Sequence, residues 1–271
     1  MLRCPAGGGH SVEIDEMFRV LATRLKQKHR TMAFPKGPPP ELPPKFLGRP
    51  VVDSAKCANC QVCESPCPVG ALAIDKATGS VSLDTGSCLF CGNCQRSCPN
   101  GVVSFTREYR LAAASRDGLV VTDRSPAYAS AKSNLASKLL RRSLKLRQVS
   151  AGGCNACEAD TNVLGTLAWD IGRFGIQFVA SPRHADGLLI TGSVTQNMHL
   201  ALRKTYDAVP GPKVVIAVGA CAIAGGPYRD HPEQMNGAAS IIPVDVFIPG
   251  CPPHPLTILD GLLRFLGQVD E

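Results

Sequence analysis

The chain has 271 residues, 44% of them hydrophobic and 19% charged, a globular composition with room for about two domains. Its net charge of +7 is unevenly spread: nine Lys or Arg oppose four acids in residues 1–50, and nine oppose two in 110–150. The cysteine-bearing remainder is therefore acidic, and with no basic stripe interleaved with aromatic residues nucleic acid is excluded as a partner.

The first residues lack a charged segment followed by an apolar run, so no export signal is expected. The longest uncharged apolar stretch, 214–227, is shorter than the roughly 20 residues of a bilayer span. Both features predict a cytoplasmic chain. Thirteen cysteines then point to metal or redox chemistry rather than to a disulfide framework.

In chain order, residues 12–30 predict an amphipathic helix with Ile14, Met17 or Phe18, Leu21 and Leu25 on one face. The following "PKGPPPELPPK" (35–45) predicts an extended, semi-rigid arm. Residues 1–50 thus read as a docking arm for a partner subunit, with a membrane surface as the other candidate. Cys4 is a spare thiol.

Residues 51–109 carry a duplicated motif. Cys57, Cys60, Cys63 and Cys67 have the spacing C-x2-C-x2-C-x3-C-P, and Cys88, Cys91, Cys94 and Cys98 repeat it 31 residues later. "ALAID" (71–75) is echoed by "VVSFT" (102–106), so one folding unit is used twice. Three cysteines on a tight loop reach three corners of an iron–sulphur cube, and the fourth, beside a proline, serves the other cube. Cys57, Cys60, Cys63 and Cys98 are therefore assigned to one 4Fe–4S cluster, and Cys88, Cys91, Cys94 and Cys67 to a second. Zinc, which prefers paired C-x2-C knuckles, fits neither the third cysteine nor the Cys-Pro. The region resembles bacterial two-cluster ferredoxins, which implies an α+β ferredoxin-like fold and electron transfer.

A basic linker (110–149) follows, containing "KLLRRSLKLR" (138–147). Beyond it, strands are predicted at 174–180, 186–192, 213–220 and 244–250, each a short apolar run. A helix is predicted from Ala159 to Phe174, with Val163, Leu164, Leu167, Ala168, Ile171 and Phe174 on one face, and another at 255–266. This alternation predicts an α/β domain with a parallel, flavodoxin-like sheet over 150–271. Sites in such sheets gather beyond the carboxyl ends of the strands. Cys221 and Cys251 each follow a strand there, and Cys154 and Cys157 precede a helix N-terminus. Those four thiolates are assigned to a third 4Fe–4S cluster, which a helix dipole would favour.

"GGCNACE", "SPRHADGLLITGSVT", "GACAIAGG" and "VDVFIPGCPPHP" together resemble the small subunit of group 4 membrane-bound nickel–iron hydrogenases of the formate hydrogenlyase and hydrogenase-4 type, relatives of the complex I 20 kDa subunit. "RRSLKLRQVS" (141–150) resembles that family's entry strand. "FLGRPVVD" and "FTREYRLA", flanking the ferredoxin motif, resemble the two-cluster subunit of the same complexes. The chain thus looks like two neighbouring subunits fused. Complex I has an adjacent Cys-Cys as its first ligand pair, whereas two residues separate Cys154 from Cys157, which favours the hydrogenase branch.

The resemblance implies an oxidoreductase subunit with three 4Fe–4S clusters, passing electrons to or from a hydrogenase-type large subunit. It would sit peripherally on the cytoplasmic face of a membrane-bound complex, with the substrate-converting site on another polypeptide. Two other readings remain: a complex I-like oxidoreductase or nickel-free relative, and a free-standing ferredoxin-type carrier. The resemblance also puts Glu158 beside the third cluster as a candidate proton relay, although a first-turn acid equally suits the helix dipole. Arg183 and His184 are candidates for contact with the cluster region or partner, or for structural pairing. His254 reads as a surface-loop histidine and Trp169 as core.

Overall fold

The computed structural model describes residues 9–28, 30–58, 66–125 and 140–269, with side chains from residue 16 onward. Each copy of the 31-residue echo leads into a strand. After Cys67 comes strand β2 (Leu72–Ile74), and after Cys98 comes β4 (Val103–Phe105). Strand β1 (Pro50–Val52) pairs antiparallel with β4, while β3 (Val81–Asp84) pairs with β2 on one side and with β5 (Val120–Val121) on the other. These strands are short, and their shared core holds Leu72, Val81, Leu83, Val102 and Val103 together with buried Cys88 and Cys94.

The C-terminal unit is built on five parallel strands: β6 (Leu144–Ser150), β7 (Ile176–Phe178), β8 (Gly187–Thr191), β9 (Val214–Val218) and β10 (Val246–Ile248). They lie in the spatial order β10-β9-β8-β6-β7. β8 and β9 are buried along their whole length, as expected of central strands covered on both faces. Leu189, Val214, Ile216 and Val218 face one layer, into which helix α6 (Pro255–Phe265) inserts Leu256, Leu259, Leu262 and Leu263. Leu188, Ile190 and Val215 face the other, covered by Leu202, Met198 and Tyr206 of helix α4 (Gln196–Ala208). Helix α3 (Ala156–Val163) follows β6, and the five-residue α5 (Ala220–Ala224) follows β9.

Three expectations change. The helix expected over 159–174 is α3, which starts at Ala156 and ends at Val163; turns follow from Gly165 and a 3-10 turn spans Ile171–Phe174. Leu167 is consequently exposed rather than on a buried helical face. Strand β6 begins at Leu144, inside the segment expected as basic linker, and forms a central part of the sheet. At the linker's other end, Leu111, Ala112 and Ala113 are buried. Ala113 pairs with Phe247 through two backbone hydrogen bonds of 2.9 and 2.8 Å, covering the free edge of β10. Residues 126–139 of that segment lie outside the described residues.

The N-terminal helix α1 spans Gly9–Gln27, starting and ending three residues before the expected bounds. The arm beyond it runs along the C-terminal unit. Thr31 Oγ1 donates to Leu167 O, Met32 N donates to Ala168 O, and Arg173 donates to the carbonyls of Met32 and Phe34. Phe34 enters the sheet's core and packs edge-on to Tyr109.

Charged side chains line the seam between the units. Arg49 is buried, its N–H donating to Glu108 O at 2.8 Å, and Arg110 holds the Glu108 carboxylate through Nε at 2.8 Å and Nη2 at 2.6 Å. On α6, buried Arg264 pairs with Asp260 at 2.9 Å. Burial pushes the Asp260 carboxyl up to about 6, against the pull of Arg264 and Arg110.

Candidate iron–sulphur sites

The ten described cysteines are all free thiols. In the N-terminal unit the structure brings Cys67, Cys88, Cys91 and Cys94 around one small apolar pocket with Leu72, Leu83 and Phe105. They come from two places: Cys67 ends the first motif, and the other three belong to the second, with Cys94 in the short helix α2 (Asn93–Ser97). These are the four cysteines that the spacing groups together. Cys57 and Cys98 pack against the same core, whereas Cys60 and Cys63 lie outside the described residues, as does Cys4.

Backbone N–H groups are aimed at the sulphurs. Ala71 N donates to Cys67 Sγ at 3.2 Å and Val102 N to Cys98 Sγ at 3.5 Å, the same four-residue offset in each repeat. Phe90 N donates to Cys88 Sγ at 3.3 Å. Donors placed in this way suit sulphurs that carry negative charge. Burial first, and then the neighbouring Cys94, Cys67 and Cys91, push the Cys88 thiol up to about 12. Free thiols crowded together out of water resist ionisation; a bound metal reverses that preference. The donor set therefore fits an iron–sulphur cluster.

The second site lies at the carboxyl end of the five-stranded sheet. The loop after β6 carries Cys154 and leads into α3 with Cys157, the turn after β9 carries Cys221 at the start of α5, and the loop after β10 carries Cys251. Backbone bonds lock these loops together: Ala151 N to Thr191 O and Ala220 N to Gly250 O at 2.8 Å each, and Gly219 N to Ile248 O, also 2.8 Å. Gly219 has φ +89°, and a Cβ there would sit 2.5 Å from Cys157 Sγ, so only glycine leaves room for the sulphur. Gly192, with φ +83°, lets the loops after β6 and β8 touch, since its Cβ would lie 2.5 Å from Gly153 N.

Charge on any of the other three cysteines disfavours ionisation of Cys157. Burial, followed by Cys221, Glu158, Cys251 and Cys154, pushes Cys157 strongly upward; Cys221 rises to about 11 through burial and then Cys251, Cys154 and Glu158. Among the described residues no three His, Cys, Asp or Glu side chains converge as ligands of a single ion would. A cubane takes one thiolate at each iron, so its four ligands need only surround it. This set, too, fits a cluster.

Glu158 is buried in the first turn of α3, and its Oε1 accepts from Ser150 Oγ at 2.6 Å and Thr191 Oγ1 at 2.7 Å. It is thus pinned between the ends of β6 and β8, directly behind Cys157. Its two hydroxyl partners had no signal in the sequence, because each lies on a separate strand. His254 is not a surface-loop residue. It caps α6 by accepting from Leu256 N at 3.1 Å and is wedged between the rings of Phe46 and Trp169, at centroid distances of 5.6 and 6.1 Å. Arg183 and His184 are exposed on the turn before β8, at the sheet edge opposite the cysteines, and the structure does not bring them to the site.

A cleft of about 290 Å³ is lined by residues of both units. Leu89 and Phe90, between Cys88 and Cys91, form one wall; Gly250 to Pro255, including Cys251, form the other, with Phe46 from the arm. Leu89 thus lines both this cleft and the pocket of Cys67, Cys88, Cys91 and Cys94.

Two family models match the chain: "NADH ubiquinone oxidoreductase, 20 Kd subunit" over residues 154–265, and "4Fe-4S dicluster domain" over 56–102. Formate hydrogenlyase subunit 7 of Escherichia coli is 42% identical over 143 residues, which make up 53% of this chain and 56% of that protein. The probable membrane-bound hydrogenase subunit mbhJ of Pyrococcus furiosus is 43% identical over 132 residues, 49% of this chain and 79% of that one. An NADH-quinone oxidoreductase subunit of Clostridium beijerinckii is 45% identical over 118 residues, 43% of this chain and 70% of that one. The chain therefore spans little more than half of the first of these relatives.

Proposed function

The chain belongs to the NADH ubiquinone oxidoreductase 20 Kd subunit family, and from that membership we propose that it is the electron-transfer subunit of a group 4 nickel–iron hydrogenase-type complex. In this reading it relays electrons through three 4Fe–4S clusters to or from a catalytic large subunit. When bound, each cluster supplies a one-electron redox centre. Cys57, Cys60, Cys63 and Cys98 would hold one, Cys67, Cys88, Cys91 and Cys94 the second, and Cys154, Cys157, Cys221 and Cys251 the third.

The observation that carries this reading is the shared cleft, lined by Leu89 and Phe90 of the second ferredoxin site and by Gly250–Pro255 of the third. A free-standing carrier has no need of that arrangement. Phe46, His254 and Trp169 fill the seam with packed rings. The strand order, second-first-third-fourth-fifth, supports a flavodoxin-like class, with the third site beside the crevice where the order reverses. Glu158, held by two hydroxyls, keeps a carboxylate at a fixed place behind Cys157, where it would accept or release a proton close to the redox centre.

The domain division that follows is an arm (1–50), a ferredoxin unit (51–109), a connector and the sheet unit (150–271), the sheet's first strand reaching back to Leu144. The identity to a component of an NADH-quinone oxidoreductase supports the second reading, a complex I-like assembly. Anaerobic purification tests the proposal. About twelve irons per chain and a co-purifying large subunit with two separated C-x2-C pairs are the expected results. Four or eight irons would refute three clusters, a large subunit without those pairs would favour the second reading, and an isolated stable monomer would favour the carrier.

A further inference from the structure

The helix that precedes the ferredoxin unit has no role in the reading above. Met17, Phe18, Leu21 and Leu25 form one stripe along α1, each more than half exposed, Leu25 at 79%. Leu167, where the chain leaving α1 is anchored, is 67% exposed. The acids of α1, Glu13, Asp15 and Glu16, lie in its first half; from Met17 to Pro40 the sequence has six cations (Arg19, Arg24, Lys26, Lys28, Arg30 and Lys36) and no acid. Arg19 and Lys26 project away from the apolar stripe, and Arg24 flanks it.

A second cationic feature lies at the root of the helix. Arg141, Arg142 and Arg173 line an open hollow of about 270 Å³ with Phe174, Gly175 and Gln268. Arg173 also holds the carbonyls of Met32 and Phe34, so the residues just after α1 form the hollow's rim. Among the described residues neither Arg141 nor Arg142 has an acidic partner.

We propose that α1 and this arginine hollow together form a docking face for an anionic lipid surface. An apolar stripe backed by basic residues lies in the headgroup plane, with its cations drawn to acidic headgroups. The anchoring of Met32 and Phe34 at Arg173 keeps the carboxyl end of the helix close to the hollow, so that one sheet of headgroups would reach both. Neither the helix from Met17 onward nor the lining of the hollow carries an acid. No helix among the described residues is long and apolar enough to cross a membrane, so the face would rest on the surface. The hollow sits at the amino edge of the sheet, beside Leu144 and Ile176, and the third cysteine set at the carboxyl edge. The seven residues of β6 keep the two roughly 20 Å apart.

This deepens the reading as part of a membrane-bound complex, and flotation of the purified full chain on lipid vesicles tests it without any electron transfer. The expected result is binding to vesicles of equal parts phosphatidylcholine and phosphatidylglycerol, weak binding to phosphatidylcholine alone, and release by high salt. Combined Met17→Ser, Phe18→Ser, Leu21→Ser and Leu25→Ser should weaken binding at least about tenfold, and Arg141→Gln with Arg142→Gln roughly fivefold. All these side chains are exposed, and unchanged absorbance of the iron–sulphur centres shows that the variants are folded. Failure of the intact chain to bind acidic vesicles, equal binding to both compositions, or unchanged binding by the variants overturns the proposal in favour of a protein partner. An iron count other than about twelve would refute the three-cluster reading and leave the flotation result standing.

Discussion

The two cysteine-bearing units differ in what holds them together. The ferredoxin unit has strands of two to four residues, and its core counts Cys88 and Cys94 among its buried residues. The sheet unit has layers of Leu, Ile and Val on both faces, and its four cysteines gather at one edge, Cys154 and Cys251 on loops and Cys157 and Cys221 at the starts of helices. In the first unit the cysteines are part of a small core; in the second they stand at the margin of a much larger core of Leu, Ile and Val. A core as small as the first gains little from burial alone, so metal binding there is folding free energy.

The sharpest way to break that comparison is to remove the iron anaerobically with a chelator. The expected outcome is loss of protected amides in residues 66–121 with those of β8 and β9 retained, read by hydrogen exchange; equal loss in both units would erase the distinction. Cys251→Ser should remove the third centre's spectroscopic signal and about four irons while leaving the thermal transition of the sheet nearly unchanged. By contrast, Leu189→Ala, inside the sheet's core, should cost about 2–5 kcal/mol in denaturant unfolding with the iron content intact.

Smaller effects separate the polar supports of each unit. Asp84 holds the turn before Cys88 through Arg116, Ser87 and the Gly86 N–H. Burial pushes its carboxyl up, but those hydrogen bonds and the Arg116 charge outweigh it and leave it below the ordinary value. Its contribution is therefore present above pH 4 or so and is lost as pH falls through the depressed value. Asp84→Asn should cost about 1–2 kcal/mol at neutral pH and flatten the acid limb of the stability curve. His254 behaves similarly at higher pH. Burial lowers its pKa from the ordinary 6.5, and only the neutral ring accepts from Leu256 N. Its cap is intact above pH 6.5 and is lost as pH falls through the lower folded value. His254→Ala should cost about 1 kcal/mol at pH 7.5 and less at acid pH, measured by thermal melts across that range.

How much could be read beforehand followed the same division. The ferredoxin unit was legible because its chemistry is local: eight cysteines at fixed spacing name the loops, and the 31-residue echo locates β2 and β4. The sheet strands were legible as apolar runs, but the order in which they lie side by side leaves no trace in such runs. Helix α4 was missed because its composition is polar, although Met198, Leu202 and Tyr206, four residues apart, carry the signal. Leu111–Ala113 looked like linker because three small apolar residues show no periodicity; only contact with Phe247 and α6 gives them a place. The meeting of Cys154, Cys157, Cys221 and Cys251 was readable from strand ends, whereas the Ser150 and Thr191 grip on Glu158 required the sheet itself.

The pairing of Ala113 with Phe247 bears on why these units share one polypeptide. β10 is an outer strand of the sheet, and outer strands with open backbone groups recruit foreign chains. Here the segment leaving the ferredoxin unit is the guard for that rim. Were the two halves made as separate molecules, each newly synthesised sheet would wait with its flank uncovered, open to clumping with its own kind; tethering supplies the shield in the same act of synthesis.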